Sequence, residues 1–149
     1  MREYDILENL QKYLIENTNF DDDTRKYYMA SCTVDKQGRI IAFGMNSTKT
    51  HPLMVTYSKL SKDTRPNRIY LHAEVSALVK SYRKPYAIFV TRINRQKEMA
   101  MSKPCPICTF AIQTAGIKRV YYTNREGELV LMKGADIDYD QRLQPSDSS

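Results

Sequence analysis

The sequence predicts an α/β domain of three layers, α/β/α, with one mixed five-stranded sheet between helices, and three observations carry that prediction. Apolar residues recur at helical spacing near the start and again around residues 72–82 and 105–115. Five short runs rich in Val, Ile, Tyr and Phe are bounded by Gly, Pro, Asn or Asp. The two kinds of segment alternate, and amphipathic helices that follow strands bury their stripes on the sheet they leave.

The first helix is expected over Glu3–Glu16, where Ile6, Leu7, Leu10, Tyr13 and Leu14 share one face. A polar break at Asp21–Thr24 leads to two strands, Tyr28–Val34 and Arg39–Gly44. They are joined by Asp35-Lys36-Gln37-Gly38, which is hairpin chemistry with Gly38 free to take a positive φ. Met45–Leu71 has no clean period, although Leu53, Met54, Tyr57 and Leu60 would share the face of a short helix. From His72 to Tyr82 the spacing of Val75, Leu78, Val79 and Tyr82 predicts a second helix that presents those four to the core and is ended by Pro85. Tyr86–Thr91 reads as a buried strand, Arg92–Lys103 as a polar loop, and Cys105–Ala115 as a third helix introduced by Pro104 and closed by Gly116. Val120–Thr123 and Leu129–Met132 follow as strands across the tight turn Asn124–Gly127, so the last pairing is expected to be antiparallel.

A chain of 149 residues builds one packed domain, expected over residues 1–135, with an acidic, polar and frayed tail over 136–149. No run approaches the roughly 18 apolar residues of a membrane span, and MREYDILENL carries charges where a signal peptide would need an apolar run. A soluble, cytoplasmic protein is the expectation, with no membrane partner. Three cysteines make no disulfide framework, and Cys105-Pro-Ile-Cys108 has the spacing of metal or redox chemistry. Charge is segregated: residues 1–35 carry −4, residues 36–103 carry +11 and residues 104–149 carry −1. The central excess favours an anionic partner, a nucleotide phosphate or single-stranded nucleic acid, over a merely solvated lysine face once a site is found in the same segment.

A catalytic zinc needs three protein ligands and one position left for water. His72, Cys105 and Cys108 supply three, the cysteines one turn apart at a helix start where the dipole favours thiolates. Glu74, two residues after His72, reaches the water position without ligating the ion and is the candidate general acid/base. The rival is a structural zinc completed by Cys32 or His51. Cys32 alternates within an apolar strand, as a small buried hydrophobe does, and His51 either lines the pocket mouth or caps a turn.

His72-Ala73-Glu74 followed by Pro104-Cys105-Pro106-Ile107-Cys108 is the H-x-E…P-C-x-x-C signature of zinc deaminases. From the first hairpin through Tyr122 the chain resembles the cytidine/deoxycytidylate deaminase superfamily, so the domain is expected to be cytidine deaminase-like. The resemblance implies that zinc-activated water attacks C4 of a cytosine ring, that Glu74 carries the water proton to N3, and that Glu74 then assists loss of ammonia. It also implies that Asn46 contacts the sugar and that the backbone near Ala73 and Pro104 shapes the base pocket; Asn46 read by itself is also a turn residue ending a strand. Gln113–Tyr122 looks like the corresponding segment of deoxycytidylate deaminases. The connection from Thr91 to Pro104 is longer than the family's usual link.

The leading functional expectation is zinc-dependent deamination of a cytosine nucleotide, dCMP to dUMP, with Lys49, Arg65, Arg68, Arg92 and Arg95 as phosphate partners. Alternatives are deamination of cytosine or adenine in single-stranded nucleic acid, and a zinc-containing nucleic-acid-binding module without activity. A homo-oligomer is a further expectation.

Overall fold

In the computed structural model the residues described are 1–20, 27–47, 52, 54–56, 72–132 and 141–145. Helix α1 spans Glu3–Glu16, strands β1 and β2 span Tyr27–Val34 and Ile40–Met45, and helix α2 spans Ala73–Lys80. Strand β3 follows over Ala87–Asn94, helix α3 over Pro106–Thr114, then β4 over Arg119–Thr123, β5 over Leu129–Met132 and β6 over Gln141–Arg142. Among these residues no helix is long and apolar enough to cross a membrane.

The strands form one sheet in the order β2-β1-β3-β4-β5-β6. β1 pairs antiparallel with β2 and with β3, β3 pairs parallel with β4, and β4 pairs antiparallel with β5. The mixed sheet and the antiparallel β4–β5 pairing match expectation. The count does not: six strands are present rather than five, because β6 adds antiparallel to β5 through Val130↔Arg142 and Leu131↔Gln141. Two exposed polar residues carry no strand period, so only backbone pairing and the burial of Leu143 reveal this element. Part of the segment read as a frayed tail is therefore held: Leu143 N–H donates to Leu129 O at 2.7 Å. Tyr4, on α1, seals the same corner, donating to Leu143 O at 2.6 Å and accepting from Leu129 N–H at 3.1 Å.

Alternation along the strands divides the core. Tyr28, Ala30, Cys32 and Val34 of β1 join Ala87, Phe89 and Ile93 of β3 beneath Ile6, Leu7, Leu10 and Leu14 of α1. The opposite face of β3 and β4, with Ile88 and Val120, packs under Ile112 of α3, while Val75 of α2 meets Ile107 and Ala111 of α3. Helices thus cover both faces, as expected.

The stripe assigned to α2 needs correction. Val75 is buried, but Val79 and Tyr82 are 51% and 76% exposed, and the helix stops at Lys80, well before Pro85. Small residues make the sheet contact instead: Ala73, Ser76 and Ala77 are buried, and a Cβ on Gly44 of β2 would lie 2.3 Å from Ala77 N, 2.5 Å from Ala73 O and 2.8 Å from Ser76 Cβ. Ser81 ends the helix by turning extended, and its hydroxyl bonds Ala77 O at 2.8 Å and Thr33 Oγ1 at 2.7 Å. Of the short helix expected near residue 54, residues 52 and 54–56 are helical and Met54 is buried. Leu53, Tyr57 and Leu60 lie outside the described residues.

Three hairpin turns share one construction. The side-chain Oδ1 of Asp35, Asn94 or Asn124 accepts the N–H groups two and four residues on, at 2.9–3.1 Å. The residue three places on has positive φ in each: Gly38 at 82°, Lys97 at 64° and Gly127 at 79°. The middle turn folds Arg92–Ala100 into a hairpin within the expected loop, with Met99 bridging Ile93 and Ala100 N–H donating to Arg92 O at 2.9 Å.

Candidate metal centre

Two helix starts build the site. His72 and Cys105 are the residues immediately before α2 and α3, both extended (ψ 155° and 168°) while their carbonyls already accept the first helical bonds. Pro106 at the first position of α3 costs no hydrogen bond, because that N–H would have no helical partner. Ser31, on the α2 side of β1, donates to Ala73 O at 2.7 Å and holds the first turn of α2 to the sheet. On the other side, Ser102 locks the approach to Cys105. Its hydroxyl donates to Val90 O at 2.8 Å and accepts Thr123 N–H at 2.7 Å, and its own N–H donates to Thr123 O at 2.9 Å.

This places His72 Nδ1 3.2 Å from Cys108 Sγ and 3.5 Å from Cys105 Sγ. The three ligand atoms all lie within 4.8 Å of one another. An imidazole nitrogen and a thiolate sharing one tetrahedral zinc stand about 3.6 Å apart, from Zn–N and Zn–S distances of about 2.05 and 2.3 Å. The residues present therefore fit the ion, and His72, Cys105 and Cys108 are placed to hold one metal. Protonation agrees with a ligand pair. The hydrogen bond from Cys108, aided by His72 and opposed by burial, lowers the Cys105 thiol to about 4. The same Cys105 bond and burial push the Cys108 thiol up.

Glu74 is 1% exposed, and its Oε1 is buried with no hydrogen-bond partner among the described residues. Burial pushes its carboxyl up, against the lowering effect of His72. A buried carboxylate oxygen without a partner is costly unless something absent from the protein itself, such as a water or a substrate atom, meets it.

The other expected residues divide. Ala73 and Pro104 are buried at the two helix starts. Asn46 pairs with Met29 through its backbone N–H (3.2 Å to Met29 O) and through Oδ1, which accepts Met29 N–H at 2.9 Å. Arg92 shares the sheet face of Ser31, by the register Met29↔Arg92 and Ser31↔Val90. Its guanidinium lies 3.9 Å from the centre of the Tyr27 ring and donates to Met101 O at 3.2 Å. Arg95 is brought to the α1 side instead, donating to Phe20 O at 3.1 Å and reaching the Tyr28 hydroxyl at 3.5 Å. His51, Lys49, Arg65 and Arg68 lie outside the described residues. Cys32 sits in the α1-side core with its thiol pushed up by burial, across the sheet from the metal group, so it is no fourth ligand. Ser31, Gly44, Ser102 and Tyr27 were not singled out by sequence; each acts through a partner distant in the chain, and no local pattern announces it.

The family model for the cytidine and deoxycytidylate deaminase zinc-binding region matches residues 7–124, a span that contains His72, Glu74, Cys105 and Cys108. No curated protein matches the chain.

Proposed function

This chain belongs to the cytidine and deoxycytidylate deaminase family, and we propose that it deaminates a cytosine nucleotide, dCMP to dUMP, with release of ammonia. One observation carries the reading: the buried Oε1 of Glu74, without a hydrogen-bond partner among the described residues, on the same helical turn as His72, the first of three residues placed to hold one ion. When bound, zinc supplies a water acidified to near neutral pKa.

Hydrolytic deamination adds water at C4 and expels the amine, so a group must move one water proton to the ring nitrogen, where the product keeps it, and the second, from the new C4 hydroxyl, to the amine that leaves as ammonia. Glu74 has the attributes of that group, since burial raises its pKa toward the working range and leaves an oxygen available for the transfer. In this reading Ala73 and Pro104 bound the base, Asn46 meets the sugar and Arg92 meets the phosphate. The support is placement: Ala73 and Pro104 at the two helix starts, and Arg92 on the helix-bearing face.

A second reading, deamination within a single strand, is favoured by one cation–aromatic pair: Arg92 lies over Tyr27, which is 42% exposed. An ammonia-release screen over cytidine, dCMP, dCTP, single-stranded DNA and RNA and adenine compounds decides between them. Preference for dCMP, with an Arg92→Ala variant raising its KM about tenfold and leaving the nucleoside unaffected, supports the first reading. Activity confined to oligonucleotides and collapsing with salt replaces it by the second, and absence of ammonia from every compound leaves a zinc-bearing binding module.

A further inference from the structure

Met54 comes from the connection between β2 and α2, where residues 52 and 54–56 are helical and Thr56 Oγ1 donates back to Pro52 O at 3.2 Å. Its side chain is wholly buried among Val75 of α2 and Ile107, Cys108 and Ala111 of α3, with the half-buried Leu78 and Cys105 packed against the same cluster. Among the described residues it is the one member supplied by neither helix nor its N-cap. Its neighbours are selective. Val75 follows Glu74, Ile107 stands between the two cysteines, and Ala111 lies about one turn beyond Cys108.

The residues placed to hold the metal sit at two separate helix starts, so the group keeps its shape only while α2 and α3 keep their spacing. Each helix docks on the sheet through contacts of its own, Ser31 and Gly44 for α2 and Ile88 and Val120 for α3. Those contacts leave the gap between the helices to be filled. Val75 and Ala111 are short, and a long unbranched thioether suits the space beside them. Solvent is the second consideration. Cys108 is fully buried, and a thiolate that water reaches can be protonated and give up its ion, so the apolar shell around a metal site controls that access.

We infer that Met54 is a positioning residue of the metal centre: it wedges α2 against α3 behind Cys108, keeps water from that sulfur, and so sets how slowly the metal is released. Nothing in this depends on which substrate the centre serves.

In the test, an excess of a chelating dye takes zinc from the loaded protein and the rate of transfer is recorded. Met54→Ala should release zinc at least about tenfold faster, whereas Met54→Leu, which restores an apolar side chain of similar volume, should stay close to the parent. Leu14→Ala, an equal truncation in the α1-side core, should also keep the parent rate. In cobalt-loaded protein, the sulfur-to-metal charge-transfer band should shift in Met54→Gln, which brings an amide beside Cys108, and not in Met54→Leu. Should Met54→Ala fail to fold, Met54→Val carries the same comparison. Each of four results overturns the inference: truncation of Met54 leaves the release rate unchanged, Leu14→Ala speeds release as much, Met54→Leu fails to restore it, or the cobalt spectrum of Met54→Gln matches the parent.

Discussion

Gly44 and Ala77 approach so closely that β2 and α2 touch backbone to backbone: a Cβ on Gly44 would lie 2.3 Å from the Ala77 nitrogen. Neither that nitrogen nor the Ala73 oxygen at 2.5 Å can swing away as a side chain would. Gly44→Ala should therefore lift α2, costing about 1–3 kcal/mol by overpacking and displacing His72 from the cysteines. Urea denaturation and zinc per chain measure both effects. Unchanged metal content would show that α2 is held by something other than this contact.

Glu74→Gln keeps the volume and removes the carboxyl to which the proposed reaction assigns proton transfer. Zinc stoichiometry should stay at the parent value while ammonia release falls by about 10²–10⁴-fold. Loss of metal along with activity would give Glu74 a structural task instead.

Ser102→Ala leaves Val90 O and Thr123 N–H buried without their partner, at a cost of about 1–3 kcal/mol. Because Ser102 fixes the chain three residues before Cys105, zinc affinity should weaken too. The Thr123 hydroxyl stands 2.9 Å from Ser102 Oγ, so a double-mutant cycle with Thr123→Val should show coupling between the two; additive losses would disprove the shared network.

Asp35 gives stability a foot at acid pH. Burial alone would raise its carboxyl, but the Arg39 backbone N–H and the Arg83 and Arg39 side chains outweigh it and hold the group below the usual carboxylate range. A depressed folded value means that the contribution is complete above the unfolded value of about 3.9 and is lost as pH falls below it. Melting temperature should drop between about pH 4 and pH 2 in the parent and drop less in Asp35→Asn, which should start lower at pH 7.

Lys97 occupies the left-handed position that Gly38 and Gly127 take in the sister turns. Lys97→Gly should relieve about 1–2 kcal/mol of backbone strain, offset in part by the greater unfolded freedom of glycine, for a net gain of about 0.5 kcal/mol seen as a higher melting temperature. A fall would mean that the Lys97 ammonium, 5.2 Å over Phe20, matters more than the strain.

The sequence made the metal group legible because its three ligands and Glu74 carry a fixed spacing around two helix starts, and the order of strands and helices called for a mixed sheet with helices on both faces, as found. Other features were hidden for physical reasons. The middle hairpin carries Lys97 where its sisters carry glycine, so the usual turn signal is missing. Helix α2 docks through Ala73, Ser76 and Ala77, and a search for large apolar residues chooses Val79 and Tyr82, which face away from the core. Ser31 and Ser102 are ordinary serines until Ala73 and Thr123 arrive beside them.

Tyr4 ties the opening helix to a residue 139 positions further along. At synthesis rates of about 5–20 residues per second, the ribosome takes on the order of ten seconds to make the intervening chain. For that interval the oily stripe of α1 lacks its final cover, which arrives only when the last edge zips shut.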